Sequence, residues 1–196
     1  MKSRPRYTGL HIKSDARRHV FALEGEGALA LTEQFTVPNT AAPAAAEILY
    51  VAHSSRSGTH EVSLRQLRSQ GFWQAPSVPT LLTRLRGLLA TATMGTQLYV
   101  AGTEGFIGQV LQVAMERGID PHSVLTEHRG SLARRVQCVH CKGITENVTA
   151  SPFACSHCSL VLFVRDHYSR RIGAFMGVNV DAEVPGEVPP AQELYR

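Results

Sequence analysis

Cys138-Val-His-Cys141 is followed, after 13 intervening residues, by Cys155-Ser-His-Cys158, and the two pairs use every cysteine in the chain. Two residues between cysteines let one tight turn aim both sulfurs at a single ion. Two such knuckles supply four thiolates in a tetrahedron, the arrangement that zinc accepts in structural sites. The spacing therefore predicts a zinc ribbon held by Cys138, Cys141, Cys155 and Cys158. Four thiolates complete a tetrahedron and leave no open position, so this metal is not expected to be catalytic. His140 and His157, inside the knuckles, are expected to be exposed rather than to act as ligands.

Iron is the rival metal, since a rubredoxin-type centre also uses two such pairs. The glycine and proline usual in iron knuckles are missing here, and Lys142 follows Cys141. Elsewhere the densest polar stretch is Arg165, Asp166, His167, Tyr168, Arg170 and Arg171. Its arginines could meet carboxylates of a partner or cofactor. The alternative is a solvated hairpin turn with local ion pairs. Asp166–His167 is not a catalytic dyad, because no nucleophile elbow of the G-x-S-x-G type accompanies it.

These groups need elements to hold them. The chain has 196 residues, 43% of them apolar, which is enough for one medium domain with a small one and excludes a disordered chain. The net charge is +4, with no long basic tract, so no nucleic-acid partner is expected. A ribbon that binds nucleic acid or protein stays as an alternative. Met1 to Lys13 is charged and polar, which predicts no secretory signal. No stretch approaches the roughly 18 apolar residues of a membrane span. A cytoplasmic protein, in a compartment that favours metal thiolates over disulfides, is the expectation.

Residues 1–44 show no sustained period and read as an N-terminal arm and linker, with short strands at Val20–Leu23 and Ala28–Leu31 around a Gly25-Glu26-Gly27 turn. Residues 45–130 alternate in kind. Glu47–Ala52, Gln97–Ala101 and Ser123–Thr126 read as buried parallel strands. Thr59–Gln70, ending at Gly71, and Thr80–Ala92 read as helices. Thr103 can cap a third helix, with Phe106, Ile107, Val110, Leu111 and Ala114 on one face and Gly118 after its end. The pattern predicts an α/β unit with an incomplete, Rossmann-like parallel sheet. From 131 to 184 short strands surround the cysteines, giving a small all-β zinc ribbon. Residues 185–196 read as a mobile, polar tail.

Leu98-Tyr-Val-Ala-Gly-Thr-Glu-Gly-Phe106, the helix after it and Val124-Leu-Thr-Glu127 resemble the end of the NAD-binding module of ferredoxin-reductase-type proteins. Tyr50-Val-Ala-His-Ser-Ser-Arg-Ser57 resembles an earlier strand of that module. The resemblance marks Arg56 and Gly102 as remnants of cofactor contacts. However, the family's cysteine is Ala101 here, its proline is Thr103, and no G-x-G-x-x-G occurs, so a scaffold retained for subunit contact is expected instead of NAD(P) binding. With the cysteine pairs and Val164-Arg-Asp-His-Tyr-Ser-Arg-Arg-Ile-Gly-Ala-Phe-Met-Gly-Val-Asn-Val-Asp181, the chain resembles the small accessory subunits of bacterial dimethylamine monooxygenases. That resemblance implies a non-redox subunit in a system that oxidatively N-demethylates a secondary amine with O2 and NADPH. It also implies two partners: a haem-bearing oxygenase subunit, and a reductase carrying flavin and an iron–sulfur cluster. A rubredoxin-like electron carrier within such a system is the alternative.

Overall fold

The computed structural model describes residues 3–35, 45–52, 58–67 and 69–196. They form two compact units. One is Tyr7–Gly130; the other is Ser131–Arg196 with the start of the chain, described from Ser3 to Arg6.

In the first unit the elements alternate. Strand β1 (Arg18–Glu24) leads through helix α1 (Gly27–Thr32) and a 3-10 turn to β2 (Ala46–Val51). Helix α2 (Gly58–Gln66), β3 (Gly71–Ala75), α3 (Val78–Ala90) and β4 (Thr96–Gly102) follow. Helix α4 (Glu104–Glu116) and β5 (Leu125–His128) complete it. The five strands are parallel, in the order β3-β2-β1-β4-β5, which is a doubly wound sheet. Chain order reverses between β1 and β4.

Residues of β1 alternate between two cores. Val20 and Ala22 join Leu81, Leu85 and Leu89 of α3 and Phe106, Ile107, Val110 and Val113 of α4. Phe21 and Leu23 join Ala28 and Leu31 of α1, Leu64 of α2, and Tyr50 and Tyr99. Strands covered on both faces read as unbroken apolar runs, which is why β1, β2 and β4 are so apolar. Each fully buried large side chain, such as Phe106, contributes about 1.5–3 kcal/mol. The Thr103 hydroxyl accepts from the Phe106 N–H at 3.3 Å and caps α4, and Gly118, at φ +74°, follows its end.

Three features differ from the sequence reading. Arg18–Glu24, placed there in an arm ending at residue 44, is the central strand of the sheet, hydrogen-bonded to β2 and β4. Ala28–Leu31, read as a strand, is helical. Its Ala-Leu-Ala-Leu alternation has a period of two, but the buried residues are Gly27, Ala28, Ala30 and Leu31, which is a helical spacing. The tertiary demand for a crossover between parallel strands overrides local pattern. Gly71 does not only follow a helix; it opens the edge strand β3.

The second unit holds β6 (Arg134–Cys138), β7 (Ile144–Val148), β8 (Ala150–Ser151), β9 (Phe153–Ala154), β10 (Val161–Ser169), β11 (Ala174–Asn179) and β12 (Gln192–Glu193). One sheet runs β7-β6-β11-β10-β9, with β8 and β12 paired separately. Residues 185–196, expected as a mobile tail, are tied down within this unit. Gln192 pairs with Ser151, the Leu132 N–H donates to the Arg196 carbonyl, and the Tyr195 ring lies 4.0 Å from the Arg134 guanidinium. Backbone pairing and one cation–π contact hold a segment whose composition alone gave no period.

Candidate metal centre

Each pair of cysteines occupies the turn of a β-hairpin. Cys138 ends β6 and the first knuckle leads into β7, while Cys155 follows β9 and the second knuckle leads into β10. The two turns share one bonding scheme. Lys142 N–H donates to the Cys138 carbonyl and Ser159 N–H to the Cys155 carbonyl. Cys138 N–H donates to the Gly143 carbonyl and Cys155 N–H to the Leu160 carbonyl. Lys142 (φ +62°) and Ser159 (φ +60°) both take the left-handed conformation that glycine accepts more easily. The second knuckle is pinned to β7: Ser156 N–H donates to the Thr145 hydroxyl at 3.1 Å, and His157 Nε2 lies 2.9 Å from the Ile144 carbonyl. His157 also lies so close over Gly143 that a Cβ there would stand 2.5 Å from the ring.

The four sulfurs lie within 4.8 Å of one another. Cys138 Sγ is 3.9 Å from Cys158 Sγ, and Cys141 Sγ is 3.7 Å from Cys155 Sγ. A disulfide needs about 2.0 Å. A tetrahedron with metal–sulfur bonds of about 2.3 Å has edges of about 3.8 Å, which these separations match. The donor set thus fits one metal ion, and all four cysteines named by the spacing come together. Cys138 and Cys155 are buried beside Leu162, with Phe153 and Leu160 packed on the cluster.

Burial opposes ionisation of Cys155, but the N–H groups of His157 and Cys158 and the thiols of Cys141 and Cys158 outweigh it and bring Cys155 down to about 6. Cys158, although the Leu160 N–H favours its thiolate, is pushed up to about 12 by burial and by Cys141, Cys155 and Cys138, which resist a further negative charge. A metal ion held there would offset this repulsion, with the four cysteines binding it as thiolates. His140 and His157 are exposed.

A glycine at position 142 should stabilise the metal-loaded protein. The left-handed backbone costs a non-glycine residue roughly 1–2 kcal/mol, partly offset by glycine's greater freedom when unfolded. Lys142→Gly also loses one exposed bond, Nζ to the Val139 carbonyl. The expected net gain is about 0.5 kcal/mol in chemical unfolding of the loaded protein.

The polar hairpin is less uniform than its sequence suggests. Register shifts between Arg165 and Tyr168, leaving Asp166 and His167 in the irregularity, where Ser3 pairs with His167. Asp166 accepts from Arg4 at 2.6 Å and from Arg134 at 3.0 Å. Tyr168 packs edge-on against Phe175, with ring centroids 5.1 Å apart. Arg165, His167, Arg170 and Arg171 are exposed. Arg134, which the sequence reading did not single out, is the buried centre of this region, sandwiched between Phe175 and Tyr195 at 4.0 Å from each.

Of the two proposed cofactor remnants, Arg56 lies outside the described residues. Gly102 (φ +155°) is required by packing: a Cβ there would stand 2.8 Å from Glu24 Cβ. The sequence reading also passed over Gly25-Glu26-Gly27-Ala28-Leu29-Ala30, the alanine-ended form of the glycine fingerprint. It directly follows β1 and opens α1, where such a loop belongs.

Fold and site together define a doubly wound α/β unit followed by a four-cysteine β ribbon. The chain belongs to the dimethylamine monooxygenase subunit DmmA-like family: the family's N-terminal domain matches residues 1–124 and its C-terminal domain residues 135–178. It is 29% identical over 165 residues to the heme-dependent oxidative N-demethylase delta subunit of Ectopseudomonas mendocina (strain ymp), covering 80% of this chain and 94% of that one. Among solved structures it is similar to an intact type IV self-sufficient cytochrome P450 monooxygenase (TM-score 0.45, 18% identity, 84% of this chain and 21% of that one). It is also similar to full-length CYP116B46 from Tepidiphilus thermophilus (TM-score 0.44, 20% identity, 72% and 20%). The chain spans about a fifth of the length of those two structures. Among the described residues, no helix is long and apolar enough to cross a membrane.

Proposed function

We propose that this chain is a non-redox accessory subunit of a multicomponent, haem-dependent monooxygenase that N-demethylates dimethylamine or a related secondary amine with O2 and NADPH. The observation that carries the reading is its similarity to a delta subunit over 94% of that subunit's length. The four-sulfur site supports a structural role, because a closed tetrahedron offers no position to substrate or oxygen. Zinc is the metal that suits it: Cys138, Cys141, Cys155 and Cys158 would hold it and it would supply folding free energy. The partners are a haem-bearing oxygenase subunit and a reductase with flavin and an iron–sulfur cluster, and the setting is cytoplasmic. Arg165, His167, Arg170 and Arg171 form the contact surface, while Asp166 and Tyr168 shape the hairpin that presents them.

Co-expressed with the oxygenase subunit, a tagged chain should co-purify with it; purified by itself, the chain should carry about one zinc and be colourless. Failure to co-purify, or N-demethylation by this chain alone with NADPH, overturns the subunit reading. An iron centre with visible charge-transfer bands overturns the structural role and favours the rubredoxin-like carrier, to which the N–H groups of Gly143 and His157 near sulfur, at 3.4 and 3.5 Å, are equally suited.

A further inference from the structure

In a doubly wound sheet, ligands bind in the crevice beyond the carboxyl ends of the strands where chain order reverses, here between β1 and β4. A dinucleotide's pyrophosphate would need backbone N–H groups facing outward from the loop after β1, and no negative charge nearby. Gly25-x-Gly27-x-x-Ala30 has the sequence for that task. Its surroundings do not fit it.

We infer that this glycine loop serves internal packing, that the Glu24 carboxylate is the anion of the crevice, and that the α/β unit takes no dinucleotide. Glu24 is buried at the end of β1, and its Oε2 accepts from the Thr103 N–H at 3.0 Å and from the Thr103 hydroxyl at 2.6 Å. It thereby places a negative charge at the N-terminus of α4. Three loop donors are already spent. Gly25 N–H donates to the Val51 carbonyl at 2.9 Å, Ala28 N–H to the Gly25 carbonyl, and Leu29 N–H to the Glu26 carbonyl. At Gly27 a Cβ would stand 2.1 Å from the Ala101 carbonyl oxygen, so the glycine is required for the loop to close onto β4. Glu26, exposed in the same loop, adds a second carboxylate to it. In this unit the glycines that would let a pyrophosphate approach instead let the chain approach itself.

The inference concerns the chain by itself and does not depend on the oxygenase assignment. Titration of NADPH and NADH into the purified native chain, followed by dihydronicotinamide fluorescence and by calorimetry, should show no saturable binding up to about 1 mM. Saturation at one per chain with a dissociation constant below about 0.1 mM, competed by pyrophosphate, overturns it. Glu24→Ala should lower the unfolding midpoint of the α/β unit by about 4 °C, and Glu24→Gln, which keeps an acceptor for Thr103, by less. An unchanged midpoint in Glu24→Ala overturns the role given to that carboxylate. If Glu24→Ala fails to fold, the Glu24→Gln midpoint and the native titration decide.

Discussion

Cys155→Ser should lose stoichiometric metal and, with it, the cooperative unfolding transition of the C-terminal unit, while the α/β unit still unfolds as a separate step. Serine keeps the shape but not the soft thiolate, and three sulfurs cannot close the tetrahedron. The unit has little else to fold on. Besides two of its cysteines and Pro152, its buried apolar side chains among the described residues are Val136, Val148, Leu162, Ala174 and Phe175. Apparent zinc-binding energies in comparable small thiolate folds are about 10–16 kcal/mol at neutral pH, about as much as these side chains supply together at about 1.5–3 kcal/mol each. The α/β unit has two large cores of its own and owes nothing to the sulfur cluster. Elemental analysis with differential scanning calorimetry reads both halves of this expectation. Removing the metal from the native chain with a strong chelator should reproduce the variant's trace, and restoring zinc should reverse it. If Cys155→Ser retains full metal content, the four-thiolate site is wrong. If it loses the metal but keeps the second transition, the site is peripheral to folding.

The metal centre was legible because its information is local. Two turns of fixed length each carry their own ligands, and spacing alone dictates what they can aim at one ion. The hairpins around them were legible for the same reason. Thr103 was readable as a cap, since a hydroxyl residue preceding an apolar helical face has one common use. The central strand was harder. Arg18–Glu24 is apolar enough to be a strand, but its place between β2 and β4 depends on pairings with residues some 30 and 80 positions away, by the registers Phe21–Ile48 and Phe21–Tyr99. Those long-range pairings leave no local signature, so the segment before residue 44 reads as an arm and Gly25-Glu26-Gly27 as a turn between two short strands. Taken alone, the Gly25-x-Gly27-x-x-Ala30 motif would instead point to a dinucleotide. Neither reading foresees Glu24, whose burial against Thr103 spans 79 positions.

Within the hairpin, sequence placed six polar residues together and could not sort them. Asp166 and Tyr168 face the unit's own interior and its N-terminal residues, whereas Arg165 and His167 are exposed. The sorting depends on Arg134, distant in sequence, whose side chain is only 7% exposed and needs a carboxylate. Aromatic rings on both faces of its guanidinium leave the edge for Asp166.

That arrangement makes Asp166→Ala the second large effect. Removing the carboxylate leaves the buried Arg134 charge without its ionic partner, which costs about 3 kcal/mol when a buried pair is broken from one side. The Arg4 contact adds little, since that side chain is 61% exposed. The loss should depend on pH with a defined sign. Arg4 first, and then Arg134, favour the ionised form and hold the Asp166 pKa below its ordinary value of 3.8. A carboxylate with a depressed folded pKa contributes fully above the unfolded value, and that contribution disappears as pH falls through the folded one. The gap in unfolding free energy between the native chain and Asp166→Ala should therefore be constant near neutrality and shrink below about pH 4. Arg165→Glu should behave in the opposite way: little change in stability, but affinity for the oxygenase subunit weakened by about tenfold or more if this face makes the contact. Chemical denaturation across pH, set beside a binding titration of both variants, separates the two roles. Equal stability of Asp166→Ala and the native chain would show that Arg134 is held by its aromatic neighbours alone. Unchanged affinity in Arg165→Glu would remove the hairpin from the interface while leaving the metal site and its fold untouched.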